Sequence, residues 1–142
     1  MPDPTPDPRL AAEALVRGYY AAFNAGDRAG MCALLSADVA HDVNQAGRRV
    51  GITAFKAFMA QMDAAYEERL EEMVVMADAT GRRAAAEFIV AGTYLRTDSG
   101  LPEARGQSYR LPAGAFLEIG DGKIRRVTTY YNLQDWIRQV ST

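Results

Sequence analysis

Apolar side chains recur at three- and four-residue intervals from Leu10 to about Asn24. Ala12, Leu15, Val16, Tyr19 and Phe23 fall on one stripe, which predicts an amphipathic helix. "NAGD" stops it: Gly26 can take the left-handed C-cap conformation, and Asp27 can cap a second short helix over about residues 28–35, which presents Met31, Leu34 and Leu35. A short strand is expected over about residues 38–44 within "ADVAHDVNQAG". "GITAFKAFMAQMDAAY" reads as a third helix, striped by Ile52, Phe55, Phe58, Met59 and Met62. Beyond it the period falls to two. "RLEEMVVMAD", "RAAAEFIVAGTYLR", "GQSYRLPAGAFLEI" and "KIRRVTTYYNLQ" read as four strands, joined by "DATGR" and "IGDGK" hairpins and the longer loop "TDSGLPEARG". "QDWIRQV" reads as a closing helix, with Trp136 as a structural plug, and the acidic run "EERLEE" as a solvated strand entrance. Helices followed by antiparallel strands make an α+β pattern, and a curved sheet with helices on one face can enclose a cavity.

Composition narrows the class. A chain of 142 residues with 49% apolar content suits one domain with one core. Four prolines in the first eight residues predict a stiff, disordered lead over residues 1–9, so residues 10–142 form the single domain. A net charge of -2 argues against a nucleic-acid partner, and the absence of a long apolar run argues against a membrane partner. "MPDPTPDPR" has no basic or apolar leader character, and the single cysteine, Cys32, fits a reducing compartment, so a cytoplasmic location is expected. Cys32 itself, within "MCALL", reads as a buried small hydrophobe. One histidine and one cysteine supply no metal-ligand cluster, and the phosphate- and dinucleotide-binding glycine motifs are absent; neither metal nor cofactor is expected.

The candidate chemistry lies in a few side chains. Tyr19 falls in the middle of the first helix's apolar stripe and Tyr20 at its edge; a buried phenol needs a partner, which a ligand oxygen or the backbone can supply. His41, the only histidine, shares a strand face with Val43, while Asp42 points to the opposite face. Glu87 sits among small and apolar residues and groups with Ala85, Ile89 and Ala91. If that face lines a cavity, desolvation raises its pKa; if not, it is an exposed carboxylate that can pair with an arginine such as Arg110. Met59 and Met62 are core residues that also suit a pocket wall.

"YYAAFNAGD", "LLSADVAHD", "GDGKI" and the final "YYNLQDWIRQV" occur in an order and spacing that resembles the ketosteroid isomerase-like, SnoaL-like branch of the NTF2-like superfamily, which includes proteins related to steroid delta-isomerase. The resemblance covers about residues 10–140. It implies a cone-shaped α+β barrel, with three N-terminal helices packed on a curved, mostly antiparallel sheet enclosing a cavity, usually in a homodimer. It implies acid–base chemistry on an apolar small molecule. It places Tyr19 at the oxyanion tyrosine, Val43 at the position of the catalytic aspartate, and Gly114 at the position of the second oxyanion donor. It also favours Tyr131 facing the cavity.

Together these readings point to a small-molecule enzyme of isomerase, cyclase or hydrolase type acting on an apolar, oxygen-bearing metabolite. Tyr19, His41, Asp42 and Glu87 are the candidate catalytic groups; Tyr20, Val43, Phe55, Met59, Met62, Ile89 and Tyr131 are the candidate substrate contacts. The alternative is a domain that binds a hydrophobic ligand, or pairs as a dimer, without catalysis. A homodimer through the sheet is expected because both strand faces carry apolar residues: Phe88, Val90 and Tyr94 against Ile89 and Ala91. Efficient ketosteroid isomerisation is not expected, because the base and second-donor positions hold no acid.

Overall fold

The computed structural model describes residues 6–44 and 46–142. Its elements are α1 (Pro8–Asn24), α2 (Arg28–Ala33), β1 (Leu35–Val43), β2 (Arg48–Val50), α3 (Ile52–Ala65), β3 (Tyr66–Ala77), β4 (Arg83–Tyr94), β5 (Ser108–Gly120), β6 (Lys123–Tyr131) and α4 (Leu133–Val140). Residues 1–5 of the Pro-rich lead lie outside the described residues. Helix α1 begins at Pro8, ahead of the expected Leu10. The Asp7 side chain accepts a hydrogen bond from the Arg9 amide at 2.9 Å, and Pro8 opens the helix where no amide is needed. At the other end Gly26 takes φ 71° and Asp27 caps α2, accepting from the Gly30 amide at 2.8 Å. Asn24 then ties this corner to the sheet: its side chain donates to the Leu70 carbonyl at 2.9 Å and accepts from the Leu70 amide at 2.8 Å.

The strands form one six-stranded sheet in the order β2-β1-β6-β5-β4-β3. The α+β class, the mostly antiparallel pairing and the closing helix hold, but the closed barrel with three helices ahead of the sheet is corrected. The sheet is open, with β2 and β3 at its edges; β2, which the sequence reading did not resolve, is three residues long and extends the sheet little. The sheet is mixed: β1 pairs parallel with β6, because the chain leaves β1 through β2 and α3, builds the β3–β6 meander and comes back alongside its start. The helices are interleaved, with α3 between β2 and β3 and a fourth helix closing the chain.

The helices cover one sheet face and bury the core there, where Val16, Met31, Phe55, Leu117, Ile124 and Val140 are almost wholly enclosed. Strand alternation decides which side chains join them. On β4, Ala84, Ala86, Phe88 and Val90 are buried while Glu87 is exposed on the other face. On β3 the alternation breaks once. The register slips by one residue between Glu71 and Val74, and Glu72 takes φ 54°. This β-bulge lets Tyr66, Glu68 and Leu70 face inward before it and Met73, Val75 and Ala77 after it. No helix among the described residues is long and apolar enough to cross a membrane.

Candidate active site

Between the helices and the inner sheet face lies a cavity of about 420 Å³, within the size range of small-molecule sites. On its helical side, α1 contributes Tyr19 and Tyr20. Residues three and four after Val16 share its face, so both rings turn inward, meeting edge to face with centroids 4.9 Å apart. Burial pushes both phenol pKa values up. The Tyr20 hydroxyl is enclosed with no hydrogen-bond partner among the described residues, its ring packed on Phe88 at 5.3 Å.

His41 stands on the wall beside them, 5% exposed, with its ring edge-on to Phe55 at 5.1 Å and to Phe58 at 4.8 Å. Its Nδ1 is buried without a partner, which leaves Nε2 for the cavity. Burial first, and then the Arg49 guanidinium, lower its pKa to about 4; Asp42 works against them. The imidazole is therefore neutral at pH 7. Arg49 sits opposite His41 in the β1–β2 ladder, and its guanidinium carbon lies 4.8 Å over the Phe58 ring.

The other expected residues divide by strand face. Val43, Met59, Met62 and Tyr131 line the cavity. Phe55, 1% exposed, lies behind Tyr19 and His41 as their backing, and Phe58 supplies the wall instead. Three expectations are corrected. Asp42 faces away from the cavity, held by Arg48 at 2.8 and 3.0 Å and by the Thr128 hydroxyl at 2.6 Å, and the Arg48 hydrogen bonds foremost bring its pKa down to about 2. Glu87 and Ile89 lie on the outer face of β4, because the bulkier set Phe88 and Val90 takes the core side. Arg110 pairs with Glu71 and Glu72 rather than with Glu87.

A second polar group, at the β3–β5 end, was not foreseen. The "EERLEE" run is only partly solvated: Glu67 points out, but Glu68 turns into the cavity. Burial raises the Glu68 pKa, opposed by a hydrogen bond from the Tyr109 phenol at 2.6 Å and by Arg28. Glu68, Gly92 and Tyr109 are ladder neighbours across β3, β4 and β5. A Cβ on Gly92 would meet Tyr109 Cζ at 2.4 Å, so the bare glycine is what lets Tyr109 lie across to the carboxyl. Tyr66 donates to Asp98 at 2.8 Å, and Trp136 closes this end with its edge against Tyr66, Tyr94 and Tyr109. Alternation of Tyr66, Glu68 and Leu70 was the available signal for Glu68. At the rim Arg28 holds Asp63 through two hydrogen bonds of 2.7 and 3.0 Å. Asn132, in the last turn, caps α4 by accepting from the Asp135 amide at 3.1 Å. Among the described residues no three His, Cys, Asp or Glu side chains gather in a way that would hold a metal ion.

The arrangement sets a neutral imidazole, two phenols, a guanidinium and a carboxyl on the wall of one apolar chamber. It can bind an oxygen-bearing molecule and move protons on it. Comparison with known proteins gives the same frame. The family profile of the SnoaL-like domain matches residues 16–127. A candidate polyketide cyclase from Pseudomonas putida KT2440 is 60% identical, with a TM-score of 0.89 over 91% of this chain and 97% of its own. A second, from Xanthomonas campestris pv. campestris, is 52% identical, with a TM-score of 0.91 over 94% and 98%. An NTF2-like protein from Burkholderia xenovorans LB400 shares the fold, with a TM-score of 0.75 at 16% identity over 93% and 97%. No curated protein matches the sequence.

Proposed function

The chain belongs to the SnoaL-like family, and from that premise we propose that it is an enzyme that binds an apolar, oxygen-bearing metabolite in the cavity and catalyses a proton transfer on it. The observation that carries this reading is the neutral His41 on the cavity wall, which shares the Phe55 ring as backing with Tyr19. A neutral imidazole with a free ring nitrogen takes a proton from a carbon beside a carbonyl. Tyr19 donates to the oxygen on which negative charge then grows. The candidate polyketide cyclase names of two relatives above 50% identity support a carbonyl-rich substrate.

The test has two stages. A thermal-shift screen with polyketide fragments, steroids and terpenoid epoxides finds compounds that stabilise the fold. Turnover of the hits is then compared between the parent, His41→Gln and Tyr19→Phe. Loss of turnover in His41→Gln with binding retained supports the enzyme. Hits that bind and are never turned over identify a hydrophobic-ligand carrier instead.

The outer sheet face supports a second part of the reading, that two copies pair through it. Phe116, Tyr130, Val74 and Met76 are about half exposed there, and Phe116 and Tyr130 touch edge to face at 6.0 Å. A solvated apolar stripe on a sheet face is a surface that gains from cover, and a second copy supplies it.

A further inference from the structure

One charged side chain lining the cavity has no polar partner among the described residues. Arg28 is held by Asp63, Asp98 accepts from Tyr66, Glu68 accepts from Tyr109, and His41 is neutral. Arg49 has neither an ion pair nor a hydrogen bond among the described residues, and its Nη1 is buried with no acceptor. A guanidinium nitrogen removed from water without an acceptor is unfavourable, and most such groups in folded proteins have one.

The position of Arg49 is fixed in two ways. The β1–β2 ladder sets it opposite His41, and the Phe58 ring carries Arg49 over its face while meeting the His41 edge. A planar guanidinium presents its donors as a fork that matches a carboxylate. The cavity's own carboxyls do not fill that place: Asp63 is taken by Arg28, and Glu68 is on β3 and Asp98 follows β4, with β6 and β5 between them and β1 in the sheet.

We infer that Arg49 recognises a carboxylate on the ligand, so that the cavity takes an apolar organic acid. The acid lies with its carboxylate at the β1–β2 end, and any hydroxyl groups point toward Glu68 and Asp98, which accept from them. The inference rests on the cavity being the substrate site. It gives that substrate a class, a monocarboxylate, and a direction. A carboxylate seated on Arg49 also offsets one of the two causes that hold His41 in its neutral form, and so makes the imidazole a stronger base when substrate is present.

The experiment is binding calorimetry with 2-naphthoate and with 2-naphthamide, the neutral compound of the same shape, on the parent, Arg49→Lys and Arg49→Met. The parent is expected to favour the acid by about tenfold or more, the range of a charge-assisted pair. Arg49→Lys should keep part of the preference. Arg49→Met should bind both alike while holding the amide as the parent does, which shows that the cavity is intact. Equal affinities in the parent, a preference that survives Arg49→Met, or no binding of the acid at millimolar concentration would each overturn the inference. None of these readouts needs turnover, so a failure here leaves the His41 and Tyr19 assays to judge the acid–base reading separately.

Discussion

The Tyr109 phenol reaches over Gly92, a residue without a side chain, to donate a 2.6 Å hydrogen bond to the Glu68 carboxyl. The three positions form one row across β3, β4 and β5, and the glycine sets the geometry of the other two. Gly92→Ala should therefore cost about 1–3 kcal/mol, since a new methyl group would overlap the Tyr109 ring. Denaturant unfolding reads the loss as a lower midpoint at unchanged slope. A parent-like midpoint would mean that Tyr109 has room to move aside.

The single histidine gives the protein a pH signature. The folded His41 pKa is about 4, below the ordinary 6.5, so the unfolded chain binds the proton first as pH falls. Its contribution is whole above pH 6.5 and is lost between there and about pH 4, amounting to about 3 kcal/mol. Glu68, raised in the fold, works with the opposite sign as pH climbs past the normal carboxyl range. Unfolding of the parent and of His41→Gln from pH 4 to pH 7 separates the two: the difference between them should carry the His41 slope, and parallel curves would place His41 in contact with water.

Tyr19→Phe keeps the ring that packs against Tyr20 and Phe55. The fold should hold, while binding of a carbonyl ligand weakens by about 1–3 kcal/mol through loss of one buried donor. Calorimetry with any compound that stabilises the parent checks this; equal affinities would make Tyr19 a core residue only.

Ketosteroid isomerisation should be present at no more than trace level. Asp42 is on the outer face and engaged by Arg48 and Thr128, Gly114 carries no donor, and Tyr19 alone remains of the three groups that reaction uses. A positioned donor is worth ~10²–10³ in rate, and a positioned base ~10²–10⁴. Conversion of a 5-ene-3-ketosteroid to its 4-ene isomer, followed by absorbance, should run near background. Rapid conversion would mean that His41 or Glu68 serves as the base.

In solution the chain should sediment as a dimer at micromolar concentration, and Phe116→Glu should shift it to monomer while leaving the cavity unaffected, because Phe116 is on the opposite sheet face. A parent that sediments as a monomer would remove the outer face from the assembly.

The order of elements was readable from periodicity because each boundary carries its own chemistry, as "NAGD" does at the α1–α2 corner. Alternation also grouped His41 with Val43. It could not say which of two alternating sets faces the helices, and that choice sends Glu87 outward and Glu68 inward. The bulk of Phe88 and Val90 against their neighbours was the clue for β4. Arg49 was illegible for a different reason. It becomes a cavity residue only because three residues, Arg48–Val50, pair back on β1, and so short a strand leaves no period to read.

The bulge at Glu72 bears on how this chain tolerates change in its length. Deleting a residue from a strand ordinarily exchanges its two faces from that point onward and empties the core of its side chains. Here the ladder already carries one residue too many on β3, since Glu71 pairs with Ile89 while Val74 pairs with Glu87. Losing the codon for Glu72 would cancel the slip instead of creating one. Tyr66, Glu68 and Leu70 would keep their orientation on one side of the cut, and Met73, Val75 and Ala77 on the other. Losing the codon for Val74 in the same strand has no such symmetry to fall back on unless the bulge dissolves with it. Among the residues of β3, Glu72 is thus the one whose removal the cavity wall is already built to absorb.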